Sequence, residues 1–254
     1  MKKLFILLSF STVLFSCDKD DSKQGTFTSE KATLHGGKVW SAAEIDKDGK
    51  PVQLSIVVDD AAMNSVPVGQ PSDHTGHENN LIIPVASQGQ QATPFKFIMV
   101  NWNSSGHEPD NIYTLPHFDF HFYMTNSNEV MNYIDTNKMD HNLPTAEYLP
   151  ANYIAPGPGL PTMGKHWIDF TSPELSGQAP FTQTFIYGSY DGKIVFYEPM
   201  ITLEFLKNNS NYERQIPQPA KYKTAGYYPT KMKLVKKNGA TYITLDGFIY
   251  RQAS

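Results

Sequence analysis

The sequence predicts a mainly β protein, an antiparallel β-sandwich or barrel with two short helices, on three observations. Asp48-Gly49, Asp191-Gly192 and Asn238-Gly239 each sit between apolar or alternating runs, the strongest short-range signal for a β-hairpin. The runs beside them are strand-length and rich in β-branched and aromatic residues, which suit a pleated, half-buried surface. Segments with helical periodicity are few.

Residues 38–45 and 52–58 flank the first turn, 182–190 and 193–198 the second, and 232–236 and 240–250 the third. Further strand-like runs occupy 81–86, 95–103, 118–124 and 165–170. Asn126 with Glu129 three residues on forms a capping box for a helix over 127–136, with Val130 and Ile134 on one face. Pro199 suits the first turn of a second helix reaching Lys207, with Leu203 and Leu206 inward. Two loops stand apart. Residues 67–80 are polar and contain His74, His77 and Glu78, a cluster able to hold a metal only weakly. Residues 149–164 carry Pro150, Pro156, Pro158 and Pro161, and so stiff a loop is expected to cover a surface.

The first sixteen residues read as a signal peptide. Lys2 and Lys3 precede an apolar run from Leu4 to Phe15, far short of the roughly 20 residues that span a bilayer as a helix. The run ends Leu14-Phe15-Ser16-Cys17, and Cys17 is the only cysteine. This resembles a bacterial lipobox, which implies cleavage before Cys17 and its acylation as a membrane anchor. Lys19-Asp20-Asp21 behind it resembles the surface-export signal of Bacteroidetes lipoproteins, which implies an outer membrane lipoprotein on the outer face. An acylated Cys17 leaves no thiol for a disulfide or a thiolate metal site. Residues 17–33 then read as a flexible tether and 34–254 as a single β-rich domain.

Losing Lys2 and Lys3 takes the formal net charge from −4 to −6, and only Arg214 and Arg251 carry a guanidinium. An acidic chain so poor in arginine lacks the equipment for gripping a phosphate backbone, so nucleic acid is not an expected partner.

The densest run of chemistry-bearing residues is 116–124, Pro-His-Phe-Asp-Phe-His-Phe-Tyr-Met. Strand alternation puts Phe118, Phe120, Phe122 and Met124 on one face and His117, Asp119, His121 and Tyr123 on the other. The polar row is either a solvated sheet face or the floor of a pocket. Side chains two apart on a strand root about 6.7 Å apart, and zinc ligands must converge to about 2.1 Å from the ion. Neighbouring pairs satisfy both distances, so further ligands must come from other strands. His166 alternates with Ile168 and Phe170. A two-residue turn at Asp191-Gly192 pairs Phe185 with Glu198 and puts Glu198 on one face with Phe196 and Ile194. A carboxylate among such neighbours is costly unless paired or metal-bound.

Together with residues 106–109 and 187–200, the segments 116–123 and 163–169 resemble an uncharacterised family of secreted bacterial β-domains, over roughly residues 34–207. That resemblance implies that these segments belong to one unit, and implies no reaction. The His-x-Asp-x-His strand is also similar to the metal strand of cupin barrels, which however use His-x-His, so the likeness is one of architecture.

Two functions from different classes follow. The first is a divalent-metal pocket with His121, His166 and Glu198 as ligands and Asp119 as ligand or partner. His117 would be the catalytic acid/base, with His107, Glu108 and Tyr123 at the rim. Zinc, iron and manganese all accept such a set, and the chemistry would be hydrolytic or lyase-type. The second is a non-catalytic lipoprotein binding a glycan or small molecule, on the strength of fourteen tyrosines and three tryptophans.

Overall fold

The computed structural model describes residues 24–69 and 80–254. Cys17, the signal segment and the His74/His77/Glu78 cluster lie outside the described residues. β1 (Gly25–Thr28), β2 (Ala32–Leu34), β3 (Gly37–Ile45) and β4 (Pro51–Asp59) lead into α1 (Asp60–Ser65). β5 (Leu81–Pro84), α2 (Ser87–Ala92), β6 (Phe97–Asn103), β7 (His117–Tyr123) and α3 (Ser127–Val130) follow. β8 (Tyr153–Ile154) and β9 (Lys165–Asp169) precede a long hairpin of β10 (Gln183–Tyr190) and β11 (Lys193–Thr202), then α4 (Leu203–Asn208). The remaining strands are β12 (Asn211–Gln215), β13 (Gly226–Tyr228), β14 (Lys231–Lys237), β15 (Ala240–Asp246) and β16 (Ile249–Arg251).

Two open antiparallel sheets of seven strands each carry the fold, with β13 and β16 as a separate pair. The first runs β1-β3-β4-β15-β14-β12, with β2 also on β3, and the second β5-β6-β7-β11-β10-β9-β8. Val39, Leu54, Ile56, Ile243 and Leu245 of the first sheet share one core with Phe118, Phe120, Phe122, Tyr187 and Tyr197 of the second. The architecture is therefore a sandwich and not a closed barrel.

Asp191 and Gly192, and likewise Asn238 and Gly239, all have positive φ (50°, 71°, 53° and 73°). That is the primed turn whose twist matches its flanking strands, so both dipeptides act as the sequence predicts. The first turn is longer, closed by Asp46 N donating to the Lys50 carbonyl.

Several elements depart from the sequence-based expectation. Pairing begins at Gly25, inside the segment expected as tether, because Phe27 alternates inward and packs on the main core. α3 is a single turn whose Asn126 makes no side-chain cap bond. Its Val130 is buried while Ile134 is 66% exposed. Tyr133 packs instead, stacking on Tyr190 at 3.8 Å, and this anchor turns the chain out of the helix. β11 continues through Pro199 to Thr202, and α4 starts only at Leu203, with Thr202 accepting from Phe205 N as its cap. Proline is tolerated there because the ladder to β7 skips Glu198 and Pro199, resuming at Met200↔Asp119.

Candidate metal centre

The polar row of β7 is neither a solvated face nor part of the core between the sheets. It lies on the outer face of the second sheet, where a second apolar cluster covers it: Met99, Tyr113, Tyr133, Met139, Met163, Phe181, Phe196 and Met200 among others. These residues come largely from the segments linking β6 to β7 and β7 to β10, and the proline-rich loop contributes Met163. His117, Asp119, His121 and Tyr123 are consequently all buried, none above 6% exposure.

Pairing explains which residues meet. Tyr197↔Phe122 and Met200↔Asp119 flank Glu198 where the ladder to β7 lapses, so Glu198 comes opposite His121. β9 joins the far side of β10 through Gly188↔His166, and Gly188 pairs with Phe196 on β11. An alanine Cβ at Gly188 would sit 1.9 Å from the Phe196 ring. That ring thus occupies the space a side chain would fill, lying 4.9 Å from the His121 ring and 5.1 Å from the His166 ring. A bulge at Gly188/Ser189 shifts the register, so Glu198 faces Ile186 and not the Phe185 that uniform pairing predicts. Glu198 therefore shares its face with Phe196 and Met200, while Ile194 packs on the main core.

His121, His166 and Glu198 converge. His121 Nε2 lies 3.4 Å from Glu198 Oε2, His166 Nε2 lies 3.6 Å from the same oxygen, and the two nitrogens are 3.5 Å apart. Glu198 Oε2 and His121 Nδ1 are buried without a hydrogen-bond partner. Burial pushes the His121 imidazole down to about 4. It pushes His166 down to about 3, and the adjacent His121 adds to the effect. Both rings are therefore neutral near pH 7, the form that ligates metals. Burial raises the Glu198 carboxyl well above the ordinary carboxylate range, and the Asp119 charge acts the same way. His166, whose side chain is 22% exposed, is the member that reaches solvent.

Asp119 does not join this group. Its carboxylate faces His117 Nε2 at 3.2 Å and His107 Nε2 at 3.6 Å, and Asn103 Nδ2 donates to it at 2.7 Å. Burial acts upward on Asp119, but the His117 and His107 imidazoles outweigh it and hold the carboxyl well below its usual range. His117 and His107 thus belong with Asp119 instead of with His121. Glu108 is exposed and contributes only its backbone carbonyl, which lies 2.6 Å from His107 Nδ1. Tyr123, expected at the rim, is fully buried: its hydroxyl donates to the Met163 carbonyl and its ring stacks on Phe97. Asn103 and Gly188 escaped the sequence reading. Asn103 ends an apolar strand, and the role of Gly188 depends on a cross-strand ring that no local pattern reveals.

The three tryptophans are structural. Trp40, Trp102 and Trp167 are at most 9% exposed, Trp102 Nε1 donates to the Pro67 carbonyl and Trp167 Nε1 to Ser189 Oγ.

Among known proteins, residues 46–102 match the family model described as TTHB210-like, hypothetical protein TTHB210. That segment spans β4 to β6 and is similar to an uncharacterised family; it contains none of the six His/Asp/Glu residues above. No curated protein and no solved structure matches the chain.

Proposed function

We propose that the protein is a membrane-tethered β-sandwich that holds a divalent metal between His121, His166 and Glu198, anchored by an acylated Cys17 at the outer face of the outer membrane. The observation carrying this is the donor triangle with edges of 3.4, 3.5 and 3.6 Å. Tetrahedral ligands about 2.1 Å from an ion lie about 3.4 Å apart, whereas octahedral ligands at that length lie about 3.0 Å apart. The spacing suits a tetrahedral ion, with zinc the usual occupant and iron or manganese the rivals. Three protein ligands leave one position open, which is the layout of a catalytic and not a purely structural zinc site. A metal so held lowers the pKa of bound water and polarises carbonyls, the basis for hydrolytic or lyase-type chemistry.

Zinc titration of the metal-stripped chain tests the reading. One zinc per chain that the wild type holds and that both His121→Ala and His166→Ala lose is the expected result. Unchanged zinc stoichiometry in either variant rejects it.

A second reading rests on a separate cleft of about 520 Å³ lined by Tyr133, Tyr148, Tyr190, Tyr222 and Tyr228 with five lysines, among them Lys96 and Lys223. None of the metal-centre residues lines it. Tyr133 packs on Tyr190 and Tyr222 on Tyr228, so it is the lysines of the lining, which suit acidic substituents, that favour an acidic glycan here. Absence of binding to a panel of uronate-containing and sulfated glycans rejects that reading.

A further inference from the structure

We propose that His107, His117 and Asp119 form a second divalent-cation site, sharing no ligand with the centre at His121, His166 and Glu198. The three residues offer ligand atoms all within 4.8 Å of one another. Tautomers carry the argument. His117 Nδ1 lies 2.7 Å from the Leu115 carbonyl and His107 Nδ1 lies 2.6 Å from the Glu108 carbonyl. A carbonyl only accepts, so each Nδ1 must bear the proton. In the neutral ring Nε2 is then a lone pair, and both lone pairs point at one carboxylate.

His117 is 0% and Asp119 6% exposed, and His117 Nε2 and Asp119 Oδ1 are both buried without a hydrogen bond. With both rings neutral, three acceptor groups face one another with no hydrogen between them; the rival occupant is a proton on Nε2 of His107, which the Asp119 carboxylate favours against the effect of burial. A buried arrangement of this kind needs positive charge at its centre. One cation satisfies all three acceptors at once. Metal-ligating histidines characteristically donate their other ring N–H to a backbone carbonyl, as both rings do here.

The surroundings fit the same use. Asn103 Nδ2 donates to Asp119 Oδ2 and fixes the carboxylate's orientation. The Phe181 ring stands edge-on to His117 at 5.4 Å and closes the inner side. His107, with its side chain 32% exposed, is the point of entry from solvent. Two imidazoles and one carboxylate select a borderline ion such as zinc, manganese or iron over calcium or magnesium, which prefer oxygen.

The experiment is zinc stoichiometry on the metal-stripped full chain, read by elemental analysis after gel filtration, with calcium as control. Two zinc per wild-type chain are expected, falling to one in His107→Gln and in His117→Gln, with no calcium retained. His107→Gln changes a partly exposed loop side chain, and an unaltered circular dichroism spectrum checks its fold. A single wild-type zinc that His107→Gln retains overturns the proposal and leaves the triad an imidazolium–carboxylate pair. Two wild-type zinc ions that both survive His107→Gln and His117→Gln overturn it as well. The outcome is independent of the first centre: if His121→Ala keeps every zinc while His107→Gln loses one, the second site stands and the first falls.

Discussion

At the scale of single residues, the two buried imidazoles and the buried carboxyl pull stability in opposite directions with pH. In the metal-free protein, His121 and His166 stay neutral down to about 4 and about 3. Unfolded, they take up protons near the ordinary value of about 6.5. Below that pH the unfolded state binds more protons, so stability is lost as pH falls. Glu198, raised by burial, acts oppositely: between the ordinary carboxylate value and its own, the folded state holds the extra proton. His107, raised by the Asp119 carboxylate against the effect of burial, acts with Glu198 above about 6.5. Below that value the loss from His121 and His166 outweighs Glu198, and thermal midpoints of the chelator-treated chain are expected to fall between about pH 6.5 and 5. The fall should be steeper in Glu198→Gln, whose compensating proton uptake is gone, and should flatten or reverse in a His121→Gln/His166→Gln double variant. Residue identity was the most legible part of this site. His121, His166 and Glu198 could be named together because each breaks an apolar row or sits opposite one. Asp119 lies with His117, the neighbour alternation offers, and with His107 instead of His121; the part of His107 was not legible because it arrives from a loop, about which alternation says nothing.

At the scale of elements, the site depends on how β9, β10 and β11 seat the Phe196 ring under both imidazoles. Gly188→Ala would place a methyl group inside that ring's contact distance. Overpacking of this kind costs about 1–3 kcal/mol, and the displaced ring would push His121 and His166 apart. Loss of zinc affinity exceeding the loss of thermal stability is the expected outcome, measured by parallel titration and melting. The cover over the outer face is held separately. Lys165 Nζ donates to Asp140 Oδ1 at 2.7 Å and to the Gly157 carbonyl at 2.9 Å, and Gly159 N donates to the same Asp140 oxygen. Lys165 is nearly buried, so Lys165→Met takes the donor from the Gly157 carbonyl and leaves Asp140 with Gly159 N alone, and should cost about 1–3 kcal/mol. Faster hydrogen exchange across residues 137–164, with β7 unchanged, is the signature to look for. Strands and two of the three turns were readable because alternation and turn chemistry are local signals. The length of α3 and the extension of β11 were not, because Tyr133 stacking on Tyr190 and the interrupted ladder at Pro199 are long-range contacts.

At the scale of the whole molecule, one sandwich serves two purposes with its second sheet. The inner face packs Phe118, Phe120 and Phe122 against the first sheet, and the outer face carries the histidines under a loop cover. Truncating the inner row should cost stability without touching the site: Phe120→Ala is expected to lose about 3–5 kcal/mol while keeping its zinc stoichiometry. The class of fold was readable from composition and turns. The second apolar layer was not, because its residues are scattered through loops that carry no periodicity. The proposed anchoring is tested apart from the fold: on that reading, Cys17→Ser releases the chain from the membrane fraction with its metal content unchanged. The most direct measurement for the metal centre is anomalous diffraction at the zinc edge from crystals of the zinc-loaded chain. A peak about 2.0–2.2 Å from His121 Nε2, His166 Nε2 and Glu198 Oε2 is the predicted result. Zinc located elsewhere, with those three side chains bonded only to one another, would contradict it.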